Sequence, residues 1–272
     1  MVGKLPAFSL IVCSIDDRKL DVCLARYRSA IAPFPLEIIA IRDARSLAEA
    51  YNRALARATG DIVILSHDDA WPLSPDCGAR LAAHLAAVDV IGIAGATRAI
   101  TGFWAEAGQP DTHGHIVTPD EKSGEIHVWI FGAETPRIEG IRILDGCFMA
   151  ARRDVALATG FDAECFDGFH LYDADFTLRA HAAGRRVGVA ADITVFHQSE
   201  GTFDGTWQRY HQRFLAKHAA LLDAGPRHQR RIARLTFGSL EEAAAGVDAA
   251  KIARLTPDQR GAAHAAVRAR QP

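Results

Sequence analysis

The chain has little cysteine, no long apolar run and almost no net charge, and each shortage closes off a class of protein. Five cysteines (Cys13, Cys23, Cys77, Cys147 and Cys165) are scattered through 272 residues with no CxxC pair. An odd, dispersed set fits reduced, mostly buried thiols in a cytosolic protein better than disulfides or a zinc site. No stretch approaches the roughly 18 apolar residues that a transmembrane helix needs. The first residues run straight into a strand without the apolar core of a signal peptide, so the expected compartment is cytoplasmic. A formal net charge of −2 and a pI near 6.6 give no support to a nucleic-acid partner, because such binders are usually basic. No GxGxxG follows the first strand, which argues against a dinucleotide-dependent dehydrogenase. The loop found there, Cys13-Ser14-Ile15-Asp16-Asp17, is acidic and lacks Gly, which also argues against a sugar-1-phosphate nucleotidyltransferase. No Ser or Cys nucleophile motif supports a hydrolase.

What is present is an ordinary globular composition, 49% hydrophobic and 24% charged, long enough for one large α/β domain or two small ones. Near-continuous apolar runs at 8–15, 36–41, 62–65 and 90–95 read as strands buried on both faces. Between them, apolar residues at helical spacing (Leu20, Cys23, Leu24, Tyr27, Ile31; then Leu47, Tyr51, Leu55; then Leu81, Leu85, Val88) read as helices. Ser46-Leu47-Ala48-Glu49 forms a capping box, and Ser74-Pro75 reads as the cap and first position of the third helix. Strand and helix alternating in this way predict a mostly parallel sheet with crossover helices. From about 97 to 140, Gly, Pro, Thr and aromatic residues alternate, as in inserted antiparallel hairpins. Residues 141–150 return to a buried strand, 172–183 to a helix, and 186–190 and 193–197 to short strands. After Gly201 the chain reads as helical to its end, with further capping boxes at Ser239 and Thr256. The expected organisation is a domain over 1–224, with its insert near 97–140, and a helical extension over 225–272.

The chemistry concentrates at strand ends. Ile62-Val63-Ile64-Leu65 stops abruptly at Ser66-His67-Asp68-Asp69, at the carboxyl end of a buried strand, where open α/β sheets bind ligands. Adjacent carboxylates repel unless a cation or proton intervenes, and hard cations take such ligands together with phosphates. The cluster reads equally as a metal–phosphate site or as a turn. Asp173 and Asp175 start a helix, where capping is the commonest use of Asp. His197 ends a late strand, where a lone His is usually a hydrogen-bonded surface residue. Asp43 follows the second strand, as turn residues do. Trp104, His113, His115 and Trp129 read equally as an acceptor wall or as hairpin packing, and Trp207, Tyr210 and Phe214 read as core on one helix face.

In their order along the chain these features resemble the GT-A glycosyltransferases, and most closely the inverting family 2-like members. Ser66-His67-Asp68-Asp69 is similar to the Asp-x-Asp motif. Asp145-Gly146-Cys147-Phe148-Met149-Ala150-Ala151-Arg152-Arg153 with Gly160-Phe161-Asp162 resembles the acceptor-side segment. Tyr172-Asp173-Ala174-Asp175-Phe176-Thr177-Leu178-Arg179 with Gly184 resembles the Glu-Asp helix, and Phe196-His197 the late metal-binding His. The likeness covers roughly residues 8 to 220. It implies a GT-A (Rossmann-like) α/β fold and a hexosyl transfer, with inversion, from a nucleotide-diphosphate sugar to a saccharide or other hydroxyl acceptor. It implies a divalent cation, Mn2+ or Mg2+, on Asp69 and His197, with His67 a further candidate ligand. Ser14, Asp16, Asp43, Asp68 and Gly146 would meet the nucleotide and donor sugar. Asp173 would be the general base, with Asp175 the alternative, and the helix dipole would keep Asp173 ionised at neutral pH. The sequence departs from the pattern twice: His67 stands at the motif's first acidic position, and Tyr172 stands where the family usually has Glu. These departures keep open a non-catalytic, degenerate transferase fold that binds a sugar, nucleotide or protein. The C-terminal helices make a homodimer plausible.

Overall fold

The computed structural model of the protein describes residues 5–132, 135–199, 201–230 and 232–246. Strand β1 (Phe8–Cys13), helix α1 (Asp17–Ile31), strand β2 (Leu36–Ile41), helix α2 (Leu47–Leu55) and strand β3 (Ile62–His67) follow one another as the apolar pattern requires. Asp16 caps α1 by accepting from the Arg18 and Lys19 amides, and Ser46 caps α2 by accepting from Glu49 N. Both caps satisfy donors that have no partner inside a helix. The buried face of α1 carries Leu20, Cys23, Leu24, Tyr27 and Ile31, and Tyr27 Oη donates to Ser66 Oγ at 2.7 Å beneath β3.

The three parallel strands are in register at their carboxyl ends. Cys13 lies opposite Ile41 on one side and His67 on the other. The next residues of each chain segment, Ser14, Arg42 and Asp68, therefore emerge along one edge. This alignment places the site.

Beyond β3 come β4 (Ala70–Pro72), α3 (Cys77–Leu85), β5 (Val90–Gly92) and β6 (Ala94–Ala96). Ser74 does not cap α3, since its hydroxyl accepts from Thr194 N instead and Asp76 occupies the cap position. The apolar run expected to be one strand at 90–95 divides at Ile93. Its first half pairs in one sheet and its second half in the other. Gly95 lets the second half pair closely with the Ile143–Leu144 segment, because a Cβ there would lie 2.5 Å from the Ile143 carbonyl oxygen. The insert holds a short 3-10 helix (Trp104–Ala107), then β7 (Thr112–Pro119) and β8 (Ile126–Gly132), an antiparallel pair as the alternating pattern predicts.

After the insert come β9 (Arg137–Glu139), β10 (Ile143–Leu144), β11 (Phe148–Arg152), α4 (Arg153–Thr159), α5 (Tyr172–Ala182), β12 (Val187–Ala190) and β13 (Val195–His197). Strand β11 runs antiparallel between β3 and β5, so the first sheet, ordered β2-β1-β3-β11-β5-β12-β9, is mixed rather than mostly parallel. That reversal has a consequence for the site: the amino end of β11, with the turn Asp145-Gly146-Cys147, arrives beside His67, whose amide donates to Cys147 O at 3.1 Å. The second sheet is ordered β10-β6-β7-β13-β4. Pairing of β13 with β4 sets His197 opposite Ala70, one residue from Asp69.

Helix α6 (Gly205–His218) is followed by a strand, β14 (Ala233–Phe237), and then α7 (Leu240–Gly246). The expectation of continuous helix after Gly201 therefore fails at β14, whose Ala-Arg-Leu-Thr-Phe sequence pairs antiparallel with β8 and buries Leu235 and Phe237. A free edge of the insert is the partner that local sequence could not announce. The Ser half of the box expected at Ser239 is present, with Glu242 N donating to Ser239 Oγ, while Glu242 Oε2 accepts from Gly238 N, one residue before the cap. The one expected at Thr256 lies outside the described residues. All five cysteines are free. Among the described residues no helix is long and apolar enough to cross a membrane.

Candidate active site

Two cavities meet at the carboxyl edge of the parallel strands. The first, about 350 Å³, is lined by the strand-end residues Ser14, Arg42, Asp68 and Asp69, with Ala44 and Leu47 below. The second, about 460 Å³, is walled by Trp104, Trp129, Phe131, Phe203 and Trp207 and floored by Asp145, Gly146 and Asp173. His67, Phe169 and Ser199 line both. A separate depression is made by the outer face of α6 alone; it is a surface, with none of the chemistry above.

At the junction, His67, Asp69 and His197 bring three ligand-type atoms within 4.8 Å of one another. His67 Nδ1 is 3.3 Å from His197 Nε2, which is 3.5 Å from Asp69 Oδ1. Ligands at about 2.1 Å from one cation stand about 3 to 3.4 Å apart, so these spacings and donor types suit a divalent ion. Burial, with His197 close by, pulls His67 down to about 4, which leaves the ring neutral at pH 7, as a ligand must be. Burial works against ionisation of Asp69, but the hydrogen bond and charge of His197 outweigh it and hold its carboxyl well below the usual range.

Tyr172 touches this cluster from α5. Its Oη lies 2.9 Å from His67 Nε2 and 3.2 Å from Gly146 O. A phenol has one proton and a carbonyl only accepts. Both contacts are satisfied at once only when Tyr172 donates to Gly146 and His67 Nε2–H donates to Tyr172. Helix α5 enters without a side-chain cap through Leu171, held in the left-handed region at φ 62°. A bulky residue there is costly, by about 1–3 kcal/mol, and such strain gathers at functional sites. It turns the chain so that both Tyr172 and Asp173 meet the second cavity.

Asp173 sits against Gly146, where a Cβ would come within 2.6 Å of its Oδ2 and 2.7 Å of Tyr172 Oη. Burial and then the neighbouring Asp145 push Asp173 up to about 7. The helix start was expected to keep it ionised; desolvation and like charge outweigh the dipole and the backbone hydrogen bonds. Asp145 in turn is held by Trp104 Nε1–H at 2.9 Å and Cys147 N at 2.9 Å.

The remaining expected residues fall in different places. Asp68 accepts from Ser14 Oγ at 2.6 Å, tying the ends of β3 and β1 together inside the first cavity. Asp16 is the α1 cap. Asp43 is an exposed partner of Arg53, paired twice at 2.9 Å. Neither Asp16 nor Asp43 is among the residues lining the cavities. Asp175, 1% exposed, faces away from the cavities and is bound by Arg179, Lys217 and His218. His115 is buried against Thr194 at 2.9 Å, whereas Trp104 and Trp129 stand in the cavity wall. Of the trio expected to be core, Phe214 is buried, Tyr210 bonds Asp167 and Trp207 joins Phe103 and Phe203 at the cavity.

Arg42, Phe169 and Ser199 were not anticipated, and neither was the separate part played by Asp145. An Asp-Gly pair before a buried strand was a visible signal for Asp145. Nothing local marks Phe169, 53% exposed at the rim shared by the two cavities.

Some solved structures resemble the chain at low identity. The mannosyltransferase PcManGT from Pyrobaculum calidifontis, in complex with GDP-Man and Mn2+, is 14% identical over 98% of this chain and 76% of that one, with a TM-score of 0.49. TarS from S. aureus, in complex with UDP, is 13% identical over 79% of this chain and 72% of that one, also at 0.49. No curated protein sequence matches. The glycosyltransferase-like family matches continuously over residues 9–218, a span that takes in both cavities' strand ends, the His67–Asp69–His197 junction and the whole of α5. By that match, the chain belongs to the glycosyltransferase-like family.

Proposed function

We propose that the protein transfers a sugar, with inversion, from a nucleotide-diphosphate sugar to a hydroxyl acceptor at a divalent-cation site. The observation that carries this reading is the position of His67, Asp69 and His197 at the junction of the two cavities. The first cavity, polar and built on strand ends, suits a nucleotide at the edge where α/β sheets bind ligands. The second, aromatic with carboxylates at its floor, suits a sugar-like acceptor that stacks its apolar face and offers a hydroxyl. His67, Asp69 and His197 would hold a divalent cation at the junction, and its Lewis acidity would offset charge developing on a leaving diphosphate. Ser14 and Asp68 hold the β1 and β3 ends at fixed spacing, and Arg42 adds a cationic side chain to the donor cavity.

Asp173 takes the proton from the acceptor hydroxyl. Raised to about 7, it is matched to proton transfer near neutrality, where a base is both available and strong enough. Asp145 faces the same space and stays fixed by Trp104. One carboxylate acting from the acceptor side, with the diphosphate leaving toward the other cavity, describes a single displacement, and a single displacement inverts the anomeric carbon. Asp175 is occupied by Arg179, Lys217 and His218 and serves the fold.

Thermal shift with UDP, GDP, CDP and ADP, each with and without Mn2+, tests the reading, because a ligand that binds only the folded state raises the midpoint by mass action. One nucleotide is expected to stabilise the wild type only with the cation, and Asp69→Ala is expected to abolish that stabilisation. No shift with any nucleotide, or an equal shift in the variant, removes the cation–donor site.

A further inference from the structure

The two departures from the family pattern, His67 and Tyr172, are 105 residues apart in sequence and 2.9 Å apart in space. They form one device. We infer that Tyr172 is a positioning residue that fixes the tautomer of His67, and that the resulting set of two imidazoles and one carboxylate selects first-row transition cations over Mg2+ and Ca2+. The inference rests on the cation reading above.

Tyr172 Oη–H donates to the Gly146 carbonyl, so Tyr172 Oη is left as an acceptor for His67 Nε2–H. The neutral ring then carries its lone pair on Nδ1, the atom aimed at His197 Nε2 and the Asp69 carboxylate beyond. Orientation of a ligating His through its second nitrogen is a general means of raising its basicity and holding its angle. Carboxylate at position 172 would do the same, but the pocket already holds Asp145 and Asp173, and a phenol oxygen adds an acceptor without a third charge. The Tyr172 ring is itself wedged between Tyr51 and Phe161, so the acceptor is rigidly held. Hard cations prefer oxygen ligands and bind imidazole weakly, whereas Co2+ and Zn2+ favour it. Exchanging the motif's first carboxylate for an oriented imidazole therefore changes which ion the site prefers.

The test is calorimetric titration of the full chain with Mg2+, Mn2+, Co2+ and Zn2+ alone, on wild type, Tyr172→Phe, His67→Asp and the double variant. Co2+ is expected to bind the wild type at least about 100-fold more tightly than Mg2+, and His67→Asp to narrow that ratio about tenfold or more. Tyr172→Phe keeps the ring packing and is expected to weaken Co2+ binding about 10- to 100-fold, yet to have no further effect once His67 is Asp. A merely structural role for Tyr172 would weaken both backgrounds alike, and that result overturns the inference while leaving the cation site in place. Electron spin-echo modulation of the Mn2+-loaded wild type needs no variant; two directly bound imidazole nitrogens are expected, and a single one overturns the two-imidazole set. Absence of binding by all four ions fells the cation reading and this inference together.

Discussion

Asp173 and Asp175 lie two residues apart on the first turn of one helix, and their surroundings could hardly differ more. Asp173 meets a cavity, a glycine backbone and another carboxylate. Asp175 meets Arg179, Lys217 and His218 in the packing between α5 and α6. Burial raises the proton affinity of both. At Asp173 a like charge adds to it, and the group rises to about 7. At Asp175 the His218 hydrogen bond, with the Arg179 charge and the Lys217 hydrogen bond, outweighs it, and the group falls below the usual range. The difference teaches that position on a helix says little about an acid's role. The signs of its neighbours decide, and those neighbours come from other elements.

The sharpest way to break this contrast is Asp173→Asn. Transfer is expected to fall about 100- to 10,000-fold, the usual contribution of a general base, with nucleotide binding unchanged. Normal transfer would hand the base to another group. Asp175→Asn should do the reverse. Removing a buried carboxylate strands its cations, at a cost of about 2–4 kcal/mol, moderated because Arg179 and Lys217 reach water. Denaturant melts should show that loss, while transfer per folded molecule persists; inactive but stable protein would refute the division of labour.

Gly146→Ala is a smaller perturbation from the other side. The added Cβ presses on Asp173 Oδ2 and Tyr172 Oη, and displacement of the proposed base is expected to lower kcat about tenfold, since small misplacements of reacting groups are costly.

The pH dependence separates the two acids by sign. Asp173 holds its proton in the folded state up to about 7 but loses it near 4 when unfolded. Its ionisation therefore costs stability as pH rises from about 4 to 7, and Asp173→Asn should gain on the wild type across that window. Asp175 is depressed in the folded state, so its stabilisation is present above the unfolded value and is lost as pH falls through the folded one; Asp175→Asn should lose least in acid. Parallel pH curves for the two variants would contradict both assignments. Smallest of all, Trp104→Phe removes the hydrogen bond to Asp145, worth about 1 kcal/mol. A freer Asp145 charge should raise Asp173 further and move the acidic limb of the transfer profile a few tenths of a pH unit upward.

The elements that local pattern determined are those whose causes are local. The apolar runs of β1, β2 and β3 need burial on both faces, the periodicity of α1 and α2 needs one buried face, and Ser46 caps the helix it precedes. The Ser66-His67-Asp68-Asp69 cluster was legible because it ends such a run, and a strand end is where a sheet exposes polar groups to a ligand. Tertiary structure alone decided the rest. β14 is a strand because β8 leaves an edge to pair with, and the 90–95 run divides because two sheets compete for it. His197 reaches Asp69 through the β13–β4 pairing, and Tyr172 meets His67 across 105 residues. Whether an aspartate is a base or a buried counter-ion depends on charges brought from elsewhere in the chain. Sequence names the acids, but electrostatic energy falls with distance in space, and only the fold sets those distances.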